Sequence, residues 1–330
     1  MTVTLLPILQ QLLRKPSTAL AIIPLLLALY RISSNKPKRL LKVSKSGERV
    51  LILGASSGIG RSVARQYAAR GARVCIVGRR EALVEEVAVE CQNAQTSARS
   101  QDVLAIPADF TNAQDMVRVR DTLEKEWNGL DTLVVAAGVS ALQPLLAIAG
   151  VEAENKTNME MTTHEGIQNT VDVAAAATRG NYVGPLIAAV TFVPLLSNTS
   201  KSPSIVLVNS LASVIPAPTR TLYASTKAAS LVLYQALSIE HPNISFTFFM
   251  PATVEGDFRA SAVDRGPVRE LDPNAHGLKR EDVAKRCIDA VDNGEKAVFM
   301  PVHMRFGHLL YWVWPAFVER AAKRKYNFGV

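Results

Sequence analysis

The sequence predicts an α/β protein: a single domain on a doubly wound parallel sheet, preceded by an apolar membrane segment. Three observations carry this. Short aliphatic and β-branched runs recur along the chain and alternate with longer stretches of helical composition, the pattern of repeated strand–helix units. The first run, Val50-Leu51-Ile52-Leu53, passes through a glycine-rich turn straight into a helix. Residues 1–31 differ from the rest, being dominated by two apolar runs.

At 330 residues and 48% hydrophobic content, the chain can hold one large α/β domain with appendages. A formal charge of +8 makes nucleic acid and anionic membrane the partners to weigh. Aromatic content is low, no nucleic-acid motif is present, and much of the positive charge sits at the two ends beside apolar segments. Membrane is therefore the expected partner, and nucleic acid is not. Cys75, Cys91 and Cys287 are odd in number and widely spaced, which fits reduced thiols and not a disulfide framework or zinc site.

In the first segment, Thr4 to Leu13 is apolar, Arg14-Lys15-Pro16 interrupts, and Ala19 to Tyr30 is almost wholly aliphatic. A single span needs about 20 apolar residues. The second run is shorter and contains Pro24, so a span that recruits its flanks, an interfacial anchor using both runs and a cleaved leader all stay open. Arg31, Lys36, Lys38, Arg39, Lys42 and Lys45 follow the run, against Arg14 and Lys15 before it. The positive-inside rule then puts the main domain on the cytosolic face. Residues 32–47 read as a basic linker, 48–302 as the catalytic domain, and 303–330 as an aromatic and basic C-terminal segment.

The domain opens with the strand at 50–53, then Gly54-Ala55-Ser56-Ser57-Gly58-Ile59-Gly60, then a helix over Arg61 to Arg70. Glycines let the backbone approach a pyrophosphate, and the helix N-terminus meets its charge. The next strand, Arg73 to Val77, ends in Gly78-Arg79-Arg80, with no carboxylate where a ribose hydroxyl would be held. Arginine there suits a 2′-phosphate, so NADP(H) is favoured over NAD(H). A helix over Glu81 to Gln95 and a strand at Val103 to Ile106 lead to Asp109, which either bonds adenine or caps the following helix. The strand from Thr132 ends in Ala136-Ala137-Gly138, small enough for a cofactor to lie against the backbone. Residues 140–180 read as a surface loop or part of the substrate entrance, with Val171 to Ala177 helical. Asn181, beside Gly184 and Pro185, opens an apolar segment in which it can hold a kink and a bound water.

Ile205 to Val208 is a buried strand, and Ser210 lies just past its end. Tyr223 and Lys227 are four apart, so on a helix they share a face. A phenol near pKa 10 is a poor base at neutral pH, and a nearby ammonium stabilises its phenolate. After the strand Ile244 to Met250 come Pro251-Ala252-Thr253-Val254 and then 257–278, which looks like a mobile lid. A helix over Lys279 to Asn293 and a strand at Ala297 to Met300 complete the domain. Phe306 to Phe317, followed by Arg320, Lys323, Arg324 and Lys325, suits either a membrane interface or a core-packing helix.

Taken together, the glycine turn, Ala136-Ala137-Gly138, Asn181, Ser210, Tyr223-x-x-x-Lys227 and Pro251 resemble the short-chain dehydrogenase/reductase family over residues 47–302. The resemblance implies a Rossmann-like fold, hydride transfer from NADPH and no metal. It makes Tyr223 the proton donor to a carbonyl. Lys227 then lowers the phenol pKa and holds the nicotinamide ribose, Ser210 bonds the reacting oxygen, and Asn181 positions a water in the proton relay. Cofactor contacts fall to Gly54, Ser56, Ser57, Gly58, Ile59 and Gly60, to Arg79, Arg80 and Asp109, and to Ala136, Ala137, Gly138, Tyr223, Lys227, Pro251 and Val254. A homodimer through the helices beginning at Asn181 and Tyr223 is also implied. The chain departs from the family at Leu53, Ala136, Ala252 and Gly256, where threonine, asparagine, glycine and threonine are usual. The first reading is a membrane-associated carbonyl reductase, at the cytosolic face of the endoplasmic reticulum, acting on a steroid, retinoid, sphingoid or fatty-acyl ketone. The second is a non-catalytic NADP(H)-binding sensor or scaffold on a membrane.

Overall fold

The computed structural model describes residues 39–95, 102–151, 160–266, 268 and 273–328. The apolar segment 1–31 lies outside them, as do its sidedness and the first part of the basic linker. The sheet has seven parallel strands in the order β3-β2-β1-β4-β5-β6-β7: β1 Arg49–Leu53, β2 Arg73–Gly78, β3 Val103–Pro107, β4 Thr132–Val135, β5 Ser204–Val208, β6 Ser245–Pro251 and β7 Ala297–Met300. Each strand predicted from composition is present, within two residues of its expected limits.

Alternation along the strands builds two apolar layers. Leu51 and Leu53 of β1 face one side with Ile205 and Leu207 of β5. There they meet Met116 and Leu123 of α3 (Ala113–Trp127), Phe192 and Leu196 of α5 (Gly184–Thr199), and Tyr234 of α6 (Thr221–Glu240). Val50 and Ile52 face the other side, against Val63 and Tyr67 of α1 (Gly58–Ala69), Val84 of α2 (Glu81–Ala94) and Val283 of α7 (Arg280–Asp292). Helices on both faces of a parallel sheet are the doubly wound arrangement.

Within 140–180 the helix expected over Val171 to Ala177 is present and longer, α4 (His164–Thr178), and it runs through a π-helical turn, Arg179–Val183, into α5. The continuous helical run 164–199 contains an 18-residue window of mean hydropathy 1.4, and 56% of that window is buried inside the protein. It is the central helix of one sheet face, and its apolarity is that of a core element.

The expected linker ends earlier than the sequence suggested. From Arg39 onward the chain belongs to the globular unit. The Arg39 guanidinium is 4% exposed and donates to Glu48 Oε1 (2.6 Å), Thr132 Oγ1 (2.6 Å) and the Ser202 carbonyl (3.0 Å). Arg70 pairs with the other oxygen of Glu48 and with Asp292. A basic residue beside a polar stretch reads as solvated from sequence, but here it neutralises a buried carboxylate. This network lies at the N-terminal ends of the strands, the edge opposite the candidate site.

Candidate active site

A cavity of about 880 Å³ opens at the C-terminal ends of the strands, where strand order reverses between β1 and β4. The glycine turn after β1 forms one wall. Gly54 adopts φ +88°, and a Cβ there would sit 2.5 Å from the Ala137 nitrogen. A Cβ on Gly60 would sit 2.2 Å from the Gly54 carbonyl oxygen. The turn is thus closed to side chains at both points, while Ser56, Ser57, Gly58 and Ile59 line the cavity with the N-terminus of α1. A backbone cradle of this kind fits the phosphates of a dinucleotide.

Arg79 and Arg80 leave β2 at the rim of this wall. Arg80 Nη2 donates to Ser57 Oγ (3.1 Å) and Ser56 Oγ (3.3 Å). Arg79 is exposed and makes no hydrogen bond or ion pair among the described residues. Asp109 lines the cavity too, but it is not the cap of α3. Asn112 is, accepting from the Gln114 and Asp115 N–H groups. The Asp109 carboxylate folds onto its own turn instead, accepting from Thr111 N–H and Oγ1, both at 2.9 Å.

Ser210, Tyr223 and Lys227 share the cavity with the glycine turn, Ala136, Ala137, Gly138, Pro251 and Val254. Ser210 is presented by Asn209, whose Oδ1 accepts from the Ser210 N–H (2.8 Å) and whose Nδ2 donates to the Lys227 carbonyl (3.0 Å). A buried asparagine after four aliphatic residues was the available signal for this brace, and the sequence reading passed over it. Lys227 Nζ donates to the Val208 carbonyl at 3.1 Å. Burial disfavours its charged form and brings its pKa down from 10.5 to about 8.

Asn181 is placed differently from the other catalytic candidates. It is fully buried behind the wall and does not line the cavity. Its Oδ1 accepts from the Val139 N–H (2.9 Å), and its Nδ2 donates to the Val139 carbonyl (3.0 Å) and to Thr226 Oγ1 (3.1 Å). The π turn aims it there, and single π turns inside α-helices recur at functional positions.

Two further residues of the site were not anticipated. Phe258, in the helical turn Asp257–Ser261, packs its ring against Tyr223 at 6.0 Å between centroids and 64° between planes. Arg220 holds its guanidinium carbon 5.3 Å from the centre of the same phenol ring. The segment expected to cover the site is therefore seated over it in residues 257–264, and Gly256 before it has φ +108°, a conformation that disfavours the usual threonine.

A family model described as short chain dehydrogenase matches residues 48–265. The 11-beta-hydroxysteroid dehydrogenase A of Sesamum indicum is 29% identical over 281 residues, covering 82% of this chain and 72% of its own length. Among solved structures, a short chain dehydrogenase/reductase from Burkholderia phymatum in complex with NAD superposes with a TM-score of 0.68 at 17% identity, over 83% of this chain and 96% of that one. An alcohol dehydrogenase from Thermococcus sibiricus complexed with 5-hydroxy-NADP gives 0.60 at 21% identity, over 77% and 95%. Fold and site together define a Rossmann-like oxidoreductase. The chain belongs to the short-chain dehydrogenase family.

The lysine supplies a test with a defined sign. Between pH 8 and 10.5 the unfolded chain binds more protons at Lys227 than the folded one, so this group makes stability rise with pH across that window. Denaturant unfolding at about pH 8 and about pH 9.5 should show a gain of about 2 kcal/mol that Lys227→Met lacks.

Proposed function

We propose that this protein reduces a carbonyl on a lipophilic substrate (a steroid, retinoid, sphingoid or fatty-acyl ketone), with NADPH as the preferred reductant, and runs the reverse oxidation when redox poise favours it. The observation that carries this reading is the convergence of Ser210, Tyr223 and Lys227 on the cavity whose far wall is the glycine turn. NADPH, when bound, supplies the hydride. The remaining work falls to side chains of this chain. The Tyr223 hydroxyl gives its proton to the carbonyl oxygen as charge develops there. The Lys227 ammonium favours the resulting phenolate, and Ser210 Oγ holds the reacting oxygen in register. The Asn181 side chain is committed to Val139 and Thr226, which leaves the main chain of the π turn to hold the relay water.

Arg79 and Arg80 support the NADPH preference, since the two positions directly after β2 hold arginines and not the carboxylate that would take a ribose hydroxyl. Arg79→Ala should weaken NADPH binding about 10- to 100-fold and leave NADH binding unchanged, because one charge-assisted contact to phosphate is removed. Fluorescence titration of both nucleotides reads this directly. Tyr223→Phe should lower turnover by about 1,000-fold while NADPH still binds. A sensor or scaffold would keep its output in that variant, and this outcome would displace the reductase reading.

The lipid part of the reading rests on the C-terminal helices α8 (Met304–Val313) and α9 (Pro315–Lys325). The single segment expected at 306–317 is broken at Pro315, and the pair exposes Phe306, Trp312, Val313, Trp314 and Phe317 beside Arg320, Lys323, Arg324 and Lys325. Aromatic side chains next to a cationic cluster suit an anionic bilayer surface, here the cytosolic leaflet of the endoplasmic reticulum. The relative's name, a hydroxysteroid dehydrogenase, points to the same substrate class. Exposed Val190, Val232 and Ile239 on α5 and α6 support a second copy of the chain as partner. Of the three tryptophans, Trp127 is buried in the core while Trp312 and Trp314 are exposed. In liposomes containing brominated phosphatidylserine, fluorescence of the full chain should be quenched, and the quenching should vanish in a Trp312→Phe, Trp314→Phe variant. Undiminished quenching in that variant would remove the C-terminal contact.

A further inference from the structure

A buried guanidinium stands beside the phenol at the centre of this site. Arg220 immediately precedes the first turn of α6 and is 7% exposed. Its 5.3 Å approach to the Tyr223 ring centre lies within the range of cation–π attraction. Nη1 donates to Ser140 Oγ at 2.7 Å and reaches toward the Ala141 carbonyl at 3.5 Å. Withdrawing an arginine from water costs several kcal/mol before its partners offset it. Capping a helix does not need that expense, since serine or asparagine does so with a short side chain.

The partner of Arg220 explains the arrangement. Ser140 is fully buried with its polar atoms engaged. Its Oγ meets Arg220, its N–H donates to Ser261 Oγ (3.3 Å), and its carbonyl accepts from the Val263 N–H (2.9 Å). Two residues further on, the N–H groups of Leu142 and Gln143 both donate to Asp264 Oδ2. The segment covering the cavity is thus seated on the loop after β4, and Arg220 ties that loop to the catalytic helix at the turn bearing Tyr223. Phe258, on the same covering segment, touches the phenol ring directly.

We propose that Arg220 is a positioning residue for Tyr223: joined to Ser140, its guanidinium fixes the phenol in the orientation that proton transfer requires, and couples that orientation to the seating of residues 257–264. The proposal rests on the reductase reading for its consequence in catalysis, but the contact itself is independent of it. An arginine suits this role better than a lysine. Its planar fork can lie against a ring and still present a donor in the plane to a hydroxyl. Displacement of a reacting group by about 1 Å can cost about 100-fold in rate, so a brace on the ring acts on kcat more than on binding.

The test reads ring placement and catalysis separately. A fluorotyrosine is installed at position 223 of the full chain, and its fluorine resonance is recorded with neither cofactor nor substrate present. The line should shift and broaden in Arg220→Met and in Ser140→Ala, and Arg220→Lys should restore part of the parent line. In parallel, NADPH-dependent reduction of phenanthrenequinone is measured without the label. Arg220→Met should lower kcat about 10- to 100-fold with KM changed by less than about threefold, and NADPH affinity should hold. The Arg220→Met, Ser140→Ala double variant should be no slower than Arg220→Met, because the Ser140 hydroxyl reaches the ring only by way of Arg220.

An unchanged fluorine line in both single variants, or an unchanged kcat in both, overturns the proposal. If Arg220→Met does not fold, Ser140→Ala, which deletes a single oxygen, decides the matter alone. A parent chain that reduces no ketone while its fluorine line still responds to these variants would refute the reductase reading and uphold the contact. Turnover in the parent, with a line indifferent to both variants, would do the reverse.

Discussion

The site depends on one clamp, the side-chain amide of Asn181 against the main chain of Val139. Donor and acceptor are both satisfied across a single residue, and the second amide hydrogen reaches Thr226 on α6. Three segments distant in sequence are thereby held at fixed spacing: the end of β4, the long helical run, and the helix bearing Tyr223 and Lys227. The fit leaves no slack. A Cβ on Gly138 would stand 2.8 Å from Asn181 Oδ1 and 3.3 Å from Lys227 Nζ. The π turn widens the helix locally, and in exchange it turns a polar side chain into an apolar core, where its hydrogen bonds are worth most. Without that amide the half-buried Val139 N–H and C=O would lose their side-chain partner at the cavity wall.

The two ends of the sheet divide the labour. At the N-terminal edge, Arg39, Glu48, Arg70 and Asp292 form a buried ionic cluster, extended by Thr132. At the C-terminal edge stand the glycine turn, Ser210 and the tyrosine–lysine helix. Parallel strands make this separation automatic, because every β-to-α loop emerges on the same side. Charges at the first edge neutralise one another and fix how the chain enters β1. At the second edge Lys227 has only the Val208 carbonyl as hydrogen-bond partner among the described residues, and burial brings its pKa down to about 8. A buried group whose pKa is shifted and which faces a cavity is a candidate for function, whereas the fully paired charges at the other edge are structural.

Sequence reading recovered what is local. The strands, the glycine turn and the pairing of Tyr223 with Lys227 each follow from composition or spacing within a few residues. What it missed is nonlocal. Arg39 reads as one more cation in a basic stretch until Glu48, Thr132 and Ser202 surround it. Asp109 reads as a cap from its place before the helix, but the backbone puts Asn112 at that position instead. Arg220 precedes the recognisable helix of Tyr223 and Lys227, but Ser140 and Ala141, which it meets, lie some 80 residues earlier in the chain, and Phe258 comes from a stretch without periodicity. Residues 164–178 look ambiguous because much of that helix is solvent-exposed, so no clean apolar stripe marks it.

The covering segment is held in a way unlike the rest of the fold. The core is closed by aliphatic side chains on both sheet faces, whereas residues 257–264 sit on the loop after β4 mainly through hydrogen bonds to Ser140, Leu142 and Gln143. That seat is incompletely satisfied: Asp264 Oδ2 takes two N–H groups, but Oδ1 is buried with no hydrogen-bond partner among the described residues. Gly266 lies so close to the Gln143 side chain that a Cβ would stand 2.0 Å from it. Such a seat is built from a few polar contacts beside an unsatisfied acceptor and not from a packed apolar interface. The same residues place Phe258 on the Tyr223 ring and bring Ser140 to Arg220. A segment held mainly by polar contacts therefore packs directly against the Tyr223 ring, while the Asn181 clamp holds the same helix from its buried side.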